Sequence, residues 1–436
     1  MKKGLLLFCI VLCGYQSFAQ KEDIVKKGIS FGPLPVVAFD QDKGFQYGAL
    51  LNLFDFGDGS YYPHPKQQWY IEASAYTKGT SQFFLTYDTK HLIPNIRMSV
   101  ATTAVFDKAM DFYGFNGYQA IFYPDEKSAF YRLDRKAFTA KADFVGNIWD
   151  KKLFWQAGYY FSWYKYNPVD LDKINKGKDE ADQFHGQTLY EKYIAWGIVP
   201  HQEHDGGRTS AIRLGLMYDT RDFEAAPARG IWAEANMTLA PKFLGTTHGY
   251  YRYMATFRHY IPIAQDNLVF AYRLNYQGSL GNLPYYIMPV FSNIGKEYDR
   301  DGIGGFRTVR GILRDRVQGL DVAFFNAELR WKFARFHVAK QNVYLGLNAF
   351  MDGATVTRNY DNSFRYLTHL SVLPTDIKAD YDNHVDPSKS DKLHLAAGGG
   401  FRIVINQNFI IAVDYAKAFD KRDGKGGLYI NTGYLF

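Results

Sequence analysis

Phe324-Phe325-Asn326-Ala327-Glu328-Leu329-Arg330-Trp331-Lys332-Phe333 alternates residue by residue. Asn326, Glu328, Arg330 and Lys332 fall on one face of an extended chain, and Phe325, Ala327, Leu329, Trp331 and Phe333 on the other, because successive strand side chains point to opposite sides. Leu268 to Gln277 repeats the pattern, with Arg273, Asn275 and Gln277 opposite Leu268, Phe270, Tyr272, Leu274 and Tyr276. Trp69 to Tyr76 does so again, with Glu72 and Ser74 opposite Trp69, Ile71, Ala73 and Ala75. A sandwich strand buries its apolar face against a second sheet. Here the aromatic content of one face and the charge of the other suit lipid outside and water inside.

Working outward, about sixteen such segments are predicted, an even number as single-chain bacterial barrels have. They lie near 34–40, 45–54, 67–77, 81–89, 96–106, 130–146, 153–166, 210–220, 230–240, 248–262, 267–278, 318–333, 341–352, 393–405, 408–416 and 427–436. With the first strand running outward, the long connections (107–129, 167–209, 279–317 and 353–392) all fall outside. The inward side receives tight turns such as Asp150-Lys151-Lys152 and Ala264-Gln265-Asp266, with 55–66 as the one exception. This asymmetry predicts an all-β, transmembrane, antiparallel up-and-down β-barrel.

Composition agrees. Hydrophobic residues make up 47% of 436 and aromatics 17%, with 34 Tyr and 35 Phe, as lipid-facing walls and interfacial girdles require. Beyond the first residues no run of about 18 apolar residues exists to form a membrane helix. Lys2 and Lys3, the apolar Leu5 to Cys13 and the small-x-small Ser17-Phe18-Ala19 read as a signal peptide over 1–19. Leu12 stands where lipidation of Cys13 needs a small residue, against a lipoprotein. The expected domains are then the signal, a short periplasmic segment over 20–33 with no room for a periplasmic domain, and a barrel over 34–436. Both cysteines, Cys9 and Cys13, fall inside the signal, which leaves no disulfide or thiolate ligand. The net charge of +7 is a mild excess without a basic cluster interleaved with stacking aromatics, so no nucleic-acid partner is expected. The partner that composition implies is outer-membrane lipid, and the location is the bacterial outer membrane.

Catalytic and metal chemistry find little support. His201 and His204 have ligand-like spacing but no evident third ligand. Asp420 to Gly427 carries an incomplete calcium-loop pattern and reads as a tight exposed hairpin. There is no Gly-x-Ser-x-Gly elbow. Neither an enzyme, a metal nor a cofactor is expected.

The chain closes on Tyr434-Leu435-Phe436, which resembles the terminal aromatic signal by which outer-membrane barrels are recognised for assembly, carried by Tyr434 and Phe436. Val309-Arg310-Gly311-Ile312, within Gly304 to Ile312 of a long external connection, resembles the Val-Arg-Gly-Phe/Tyr motif in the sixth external loop of the BamA/TamA family, the bacterial surface antigen type of the outer-membrane protein-85 superfamily. Ile312 departs from the aromatic of that motif. Tyr218-Asp219-Thr220-Arg221-Asp222 with Pro227 and Gly230 is similar to the family's Asp-x-Arg-Asp turn. Asn326-Ala327-Glu328-Leu329-Arg330 and Phe350-Met351-Asp352 resemble its next strands, although Gly353 comes one place early and Ala354 holds the usual glycine position. Phe112 to Gly117, and Gly399-Gly400-Phe401-Arg402 with Asp414-Tyr415, match more loosely. Members of the family that deliver or insert proteins usually carry periplasmic POTRA repeats, and the short segment over 20–33 makes this chain an expected member without them.

Arg310 offers a planar fork of donors suited to carboxylates. Glu328 and Asp352, on the lumen face of neighbouring strands by alternation, are its natural partners, so the loop is expected to fold inward and be locked there. The resemblance further implies translocation or outer-membrane assembly through the lumen and a weak seam between first and last strands. A short first strand and Gly433 would weaken that seam, Gly433 alternatively accommodating a bulge or a neighbouring aromatic. The alternative is a passive pore or a membrane anchor whose loops hold a separate periplasmic or surface protein.

Overall fold

The computed structural model describes residues 25, 27–60, 65–265, 267–281, 283–292, 300–338, 341–365, 375–405 and 409–436. The expected signal peptide and the remaining turn residue Asp266 lie outside these. Sixteen antiparallel strands close into one barrel in sequence order. They are β1 (Ile29–Asp40), β2 (Gly44–Asp55), β3 (Gln67–Tyr76), β4 (Thr80–Ile93), β5 (Ile96–Asp111), β6 (Arg132–Trp149), β7 (Leu153–Pro168), β8 (Gly206–Asp219), β9 (Gly230–Ala240), β10 (Tyr250–Ala264), β11 (Leu268–Leu280), β12 (Asp321–Val338), β13 (Gln341–Arg358), β14 (His394–Ile405), β15 (Phe409–Ala418) and β16 (Gly427–Thr432). A two-stranded ribbon, Val290–Phe291 with Arg300–Asp301, sits in the connection before β12.

The alternation sorts side chains as lipid outside and water inside demand. Along β12, Asn326, Glu328 and Arg330 are buried in the interior while Leu329, Trp331 and Phe333 are exposed on the outer wall. Among the described residues no helix is long and apolar enough to cross a membrane. The strands do the crossing.

Several strands run further than alternation reveals. β8 starts at Gly206, paired with Lys165, and β13 reaches Arg358, opposite Asp321. Beyond the hydrocarbon, ladder hydrogen bonds persist while lipid no longer selects apolar residues, so the period-two signal fades before the pairing does. At the two ends the expectation needs correcting. β1 begins at Ile29 and is twelve residues long, so the first strand is not short; the last one is, because it stops at Thr432.

On the inward side Asp150 and Lys151 adopt φ of 46° and 52°, the left-handed pair of a tight hairpin whose twist matches its strands. Residues 220–229 form a second long inward connection besides 56–66, correcting the single exception expected. Here Arg221 pairs with Asp219 (Nε–Oδ1 2.9 Å), and the Asp222 carboxylate accepts the Ala228 and Arg229 amides. On the outward side the long connections pack on one another and cap the barrel. Phe112, Phe115, Tyr193 and Trp196 meet edge to face or tilted, with Phe112 and Tyr193 centroids 5.2 Å apart. A short helix, Leu189–Ala195, is fixed there by a capping box between Thr188 and Glu191.

Candidate functional site: an inward-folded loop locked on the barrel wall

The connection between β11 and β12 enters the lumen instead of lying over it. It narrows into a hairpin whose Ile303 bridges Val317, and the Gly305 amide donates to the Ile312 carbonyl (2.8 Å). The Thr308 hydroxyl ties the bend, accepting from the Gly304 amide (3.0 Å). Val309 and Ile312 point into an apolar cluster with Phe324, Val356 and Ala396 on the inner wall. Ile312 thus fills the place of the motif's aromatic by aliphatic packing. Gly311 needs its lack of a side chain: its φ is +85°, and a Cβ there would stand 2.9 Å from the Ala416 carbonyl carbon.

Arg310, at the tip, is fully buried and ringed by carboxylates. Its Nε and Nη2 reach the two oxygens of Asp352 at 2.8 and 3.1 Å, and its own amide donates to Asp352 Oδ2 at 3.0 Å. Nη2 also lies 2.7 Å from Glu328 Oε1, and Nη1 lies 3.3 Å from Asp414 Oδ2. The Phe350 ring packs under the guanidinium at 3.4 Å. Burial opposes the charge, but the Asp352 and Glu328 carboxylates more than offset it and hold the guanidinium's pKa above its ordinary value.

β12 carries Glu328 and β13 carries Asp352, and their register sets Asn326 opposite Asp352 and Glu328 opposite Phe350. Two expected carboxylates and the expected arginine therefore meet. Asp414, on β15, completes the ring and was not singled out as a partner, although it is the lone acid in the apolar run Phe409–Ala418 and alternation would have turned it inward. Arg402 grips the same Asp414 with two bonds of 2.8 Å. The Gly311 amide donates to the Tyr429 hydroxyl (3.1 Å), which brings β16 into the lock. Hydrogen bonds and ion pairs from this one loop tip thus reach four of the last five strands, and its apolar side chains pack in the cluster that includes Ala396 of the fifth.

Tyr434 and Phe436 were expected to end an extended strand. They do not: the chain leaves the sheet at Gly433, and Leu435 and Phe436 are buried beside Tyr260, Val269 and Ala271 in the interior. Arg330 joins this tail to the lock, donating to the main-chain oxygen of the terminal Phe436 (3.0 Å) and to Glu328 Oε2 (2.7 Å).

The other candidates lie elsewhere. His201 and His204 sit in the turn before β8, with His204 Nδ1 2.5 Å from the His201 carbonyl. The Asp420–Gly427 segment is a turn, but not a wholly exposed one. Asp423 is buried, accepting from the Tyr118 hydroxyl (2.6 Å) and facing His394 Nδ1 (2.7 Å). His394 Nε2 faces Asp391 (2.9 Å), so this cluster fastens three outer loops at the barrel rim.

A closed sixteen-stranded barrel with a loop hairpin pinned inside its wall defines a transmembrane barrel of the loop-locked class. The Omp85 superfamily domain matches residues 109–436, and the chain belongs to that superfamily. Among solved structures it is similar to BamA from Haemophilus ducreyi lacking POTRA domains 1–3, at 16% identity and a TM-score of 0.55, covering 94% of this chain and 71% of that one. CdiB from Escherichia coli gives 10% identity and a TM-score of 0.55 over 94% of this chain. This chain spans 64% of that CdiB, less than two thirds. At these identities the likeness is one of fold. No curated protein matches in sequence.

Proposed function

We propose that this protein is a bacterial outer-membrane barrel that translocates or assembles proteins, acting through its lumen and the seam between β1 and β16. The observation that carries the reading is the seam itself. β1 pairs with β2 over all twelve residues, from Ile29 to Asp40, but with β16 only at Phe39 opposite Ile430 and Asp40 opposite Tyr429. A closed barrel abolishes free edges, and one closed by two residue pairs has a built-in place to part. The loop lock braces the wall on one side of that seam through Asp352, Asp414 and Tyr429. A passive open pore fits less well, since the outer loops cap the mouth. In this reading the protein is a conduit or scaffold, not an enzyme, and works without a cofactor.

Purified protein in planar bilayers tests this. Conductance is expected to fluctuate, and a disulfide clamped across the paired part of the seam is expected to quiet it. Steady, voltage-insensitive conductance indifferent to the clamp sinks the proposal.

A further inference from the structure

The backbone phase of β1 can be read from its inner end. Gly28 donates to the Gly57 carbonyl (2.8 Å) and accepts from the Phe56 amide (2.9 Å). In an antiparallel ladder a residue turns both polar groups to the same neighbour, and the next residue turns them to the other. Even-numbered residues of β1 therefore face β2 and odd-numbered ones face the seam. The far side of the seam gives its phase independently. The Gly433 amide donates to the Ile410 carbonyl of the β15 side (3.0 Å), so odd-numbered residues there face β15 and even-numbered ones face β1. The two phases agree at Phe39 and Ile430, the pair in which both residues face the seam.

Continuing that register inward sets Thr432 opposite Val37, Tyr434 opposite Pro35 and Phe436 opposite Pro33. These are the next hydrogen-bonding pairs, and two of the three fall on prolines. Proline brings no N–H to a ladder, which is why strands tolerate it only where that position faces an unpaired edge. The tail behaves accordingly. At Gly433 φ becomes +91°, the chain leaves the sheet, and Leu435 and Phe436 are buried against the inner wall. Arg330, itself buried, holds the main-chain oxygen of the terminal Phe436 there and lies over the Tyr434 and Phe436 rings at 4.3 and 4.8 Å.

We propose that Pro33 and Pro35 bound how far the seam can close: beyond the observed pairs at Phe39 and Asp40 only Val37 could still exchange bonds with β16, and the prolines bar any zipping past it, divert the last three residues into the lumen, and leave a standing notch in the barrel wall. Along Pro33 to Pro35 the notch presents carbonyls without donors. A strand laid against it makes one hydrogen bond where an ordinary pair exchanges two. The inference rests on backbone phase alone and stands whether or not the barrel transports protein.

The test uses the full chain with Cys9 and Cys13 replaced by Ser and the pair L34C/L435C introduced, two positions directly opposite in the zipped register. Oxidative cross-linking is scored on the heat-modifiable folded band only, so unfolded material does not count. With the prolines in place the yield is expected to be low. In P33V/P35V the two restored donors are expected to raise it, by about fivefold for each hydrogen bond. Adding R330A, which frees the tail, is expected to raise it further only when the prolines are gone. An unchanged yield in both P33V/P35V and P33V/P35V/R330A overturns the proposal. So does R330A alone reaching the yield of P33V/P35V, since the tail and not the prolines would then be the barrier.

Discussion

At the scale of single residues the molecule concentrates its electrostatic risk at one point. Arg310 faces Asp352, Glu328 and Asp414, all buried. Removing one member of such a group leaves uncompensated charge in a poorly solvated place, a loss of about 3–5 kcal/mol. Arg310→Ala is therefore expected to lower the temperature at which the folded band disappears on gels and to raise proteolysis within 281–320. Arg310→Lys is expected to rescue only part of this, since an ammonium cannot span Asp352 bidentately. Wild-type behaviour of the alanine variant in both assays would remove the account given of the loop. Asp391, in the loop before β14, allows a pH prediction. Burial alone would raise its pKa, but the bond and charge of His394, with the Val356 and Tyr118 amides, hold it below the usual carboxylate value. Its stabilising contribution is thus present above the unfolded value near 4 and is lost as pH falls below that toward the depressed folded value. Protease sensitivity of the outer loops, measured with an acid protease, is expected to climb in that window in wild type and to be already high and flatter in Asp391→Asn. Glu328 and Asp352 were legible as partners because alternation fixes which face a strand residue occupies. Asp414 was legible in principle, but its closeness to Arg310 depends on how far around the ring β15 lies, which no pattern states.

Among the elements, the strands declared themselves and the loops did not. A lipid-facing wall imposes period two on every crossing, so the sixteen strands stand out in order. The outer connections obey no period. Their aromatic residues, such as Tyr193 and Trp196, read as composition until the fold stacks them into one cap. The Leu189–Ala195 helix is short enough to need its capping box, and Thr188→Ala is expected to cost about 1 kcal/mol locally. If cleavage tracks local opening, that is about a fivefold rise in nicking within 169–205, with the barrel band unchanged. A uniform loss of barrel stability instead would mean that the helix is no separate unit. The last strand was misjudged for a related reason: Tyr434-Leu435-Phe436 alternates like a strand, but strand pairing needs a partner, and at this register the partner offers prolines.

For the whole molecule the controlling fact is that the apolar face points outward. Phe31, Leu214, Leu274 and Trp331 are exposed on the barrel surface at 70, 47, 51 and 50%. Water would not tolerate a continuous belt of such residues. The purified protein is expected to stay monodisperse only in detergent or lipid, and to migrate as a compact band until boiled. A chain freely soluble after detergent removal would refute the transmembrane assignment.

The sequence by itself determined the wall: the number of strands, their direction, which side chains see lipid and which see the interior, and that an arginine-bearing loop belonged with two carboxylates. Each of these follows from a repeat of two or from a short motif, and such information is local. Only the tertiary structure decided how the ring closes. The third carboxylate, the shared Tyr429 contact, the two-pair seam and the inward tail all join residues far apart in the chain. They depend on the stagger of strand against strand around the barrel, and that stagger is set by the sum of fifteen neighbouring registers rather than by any one segment.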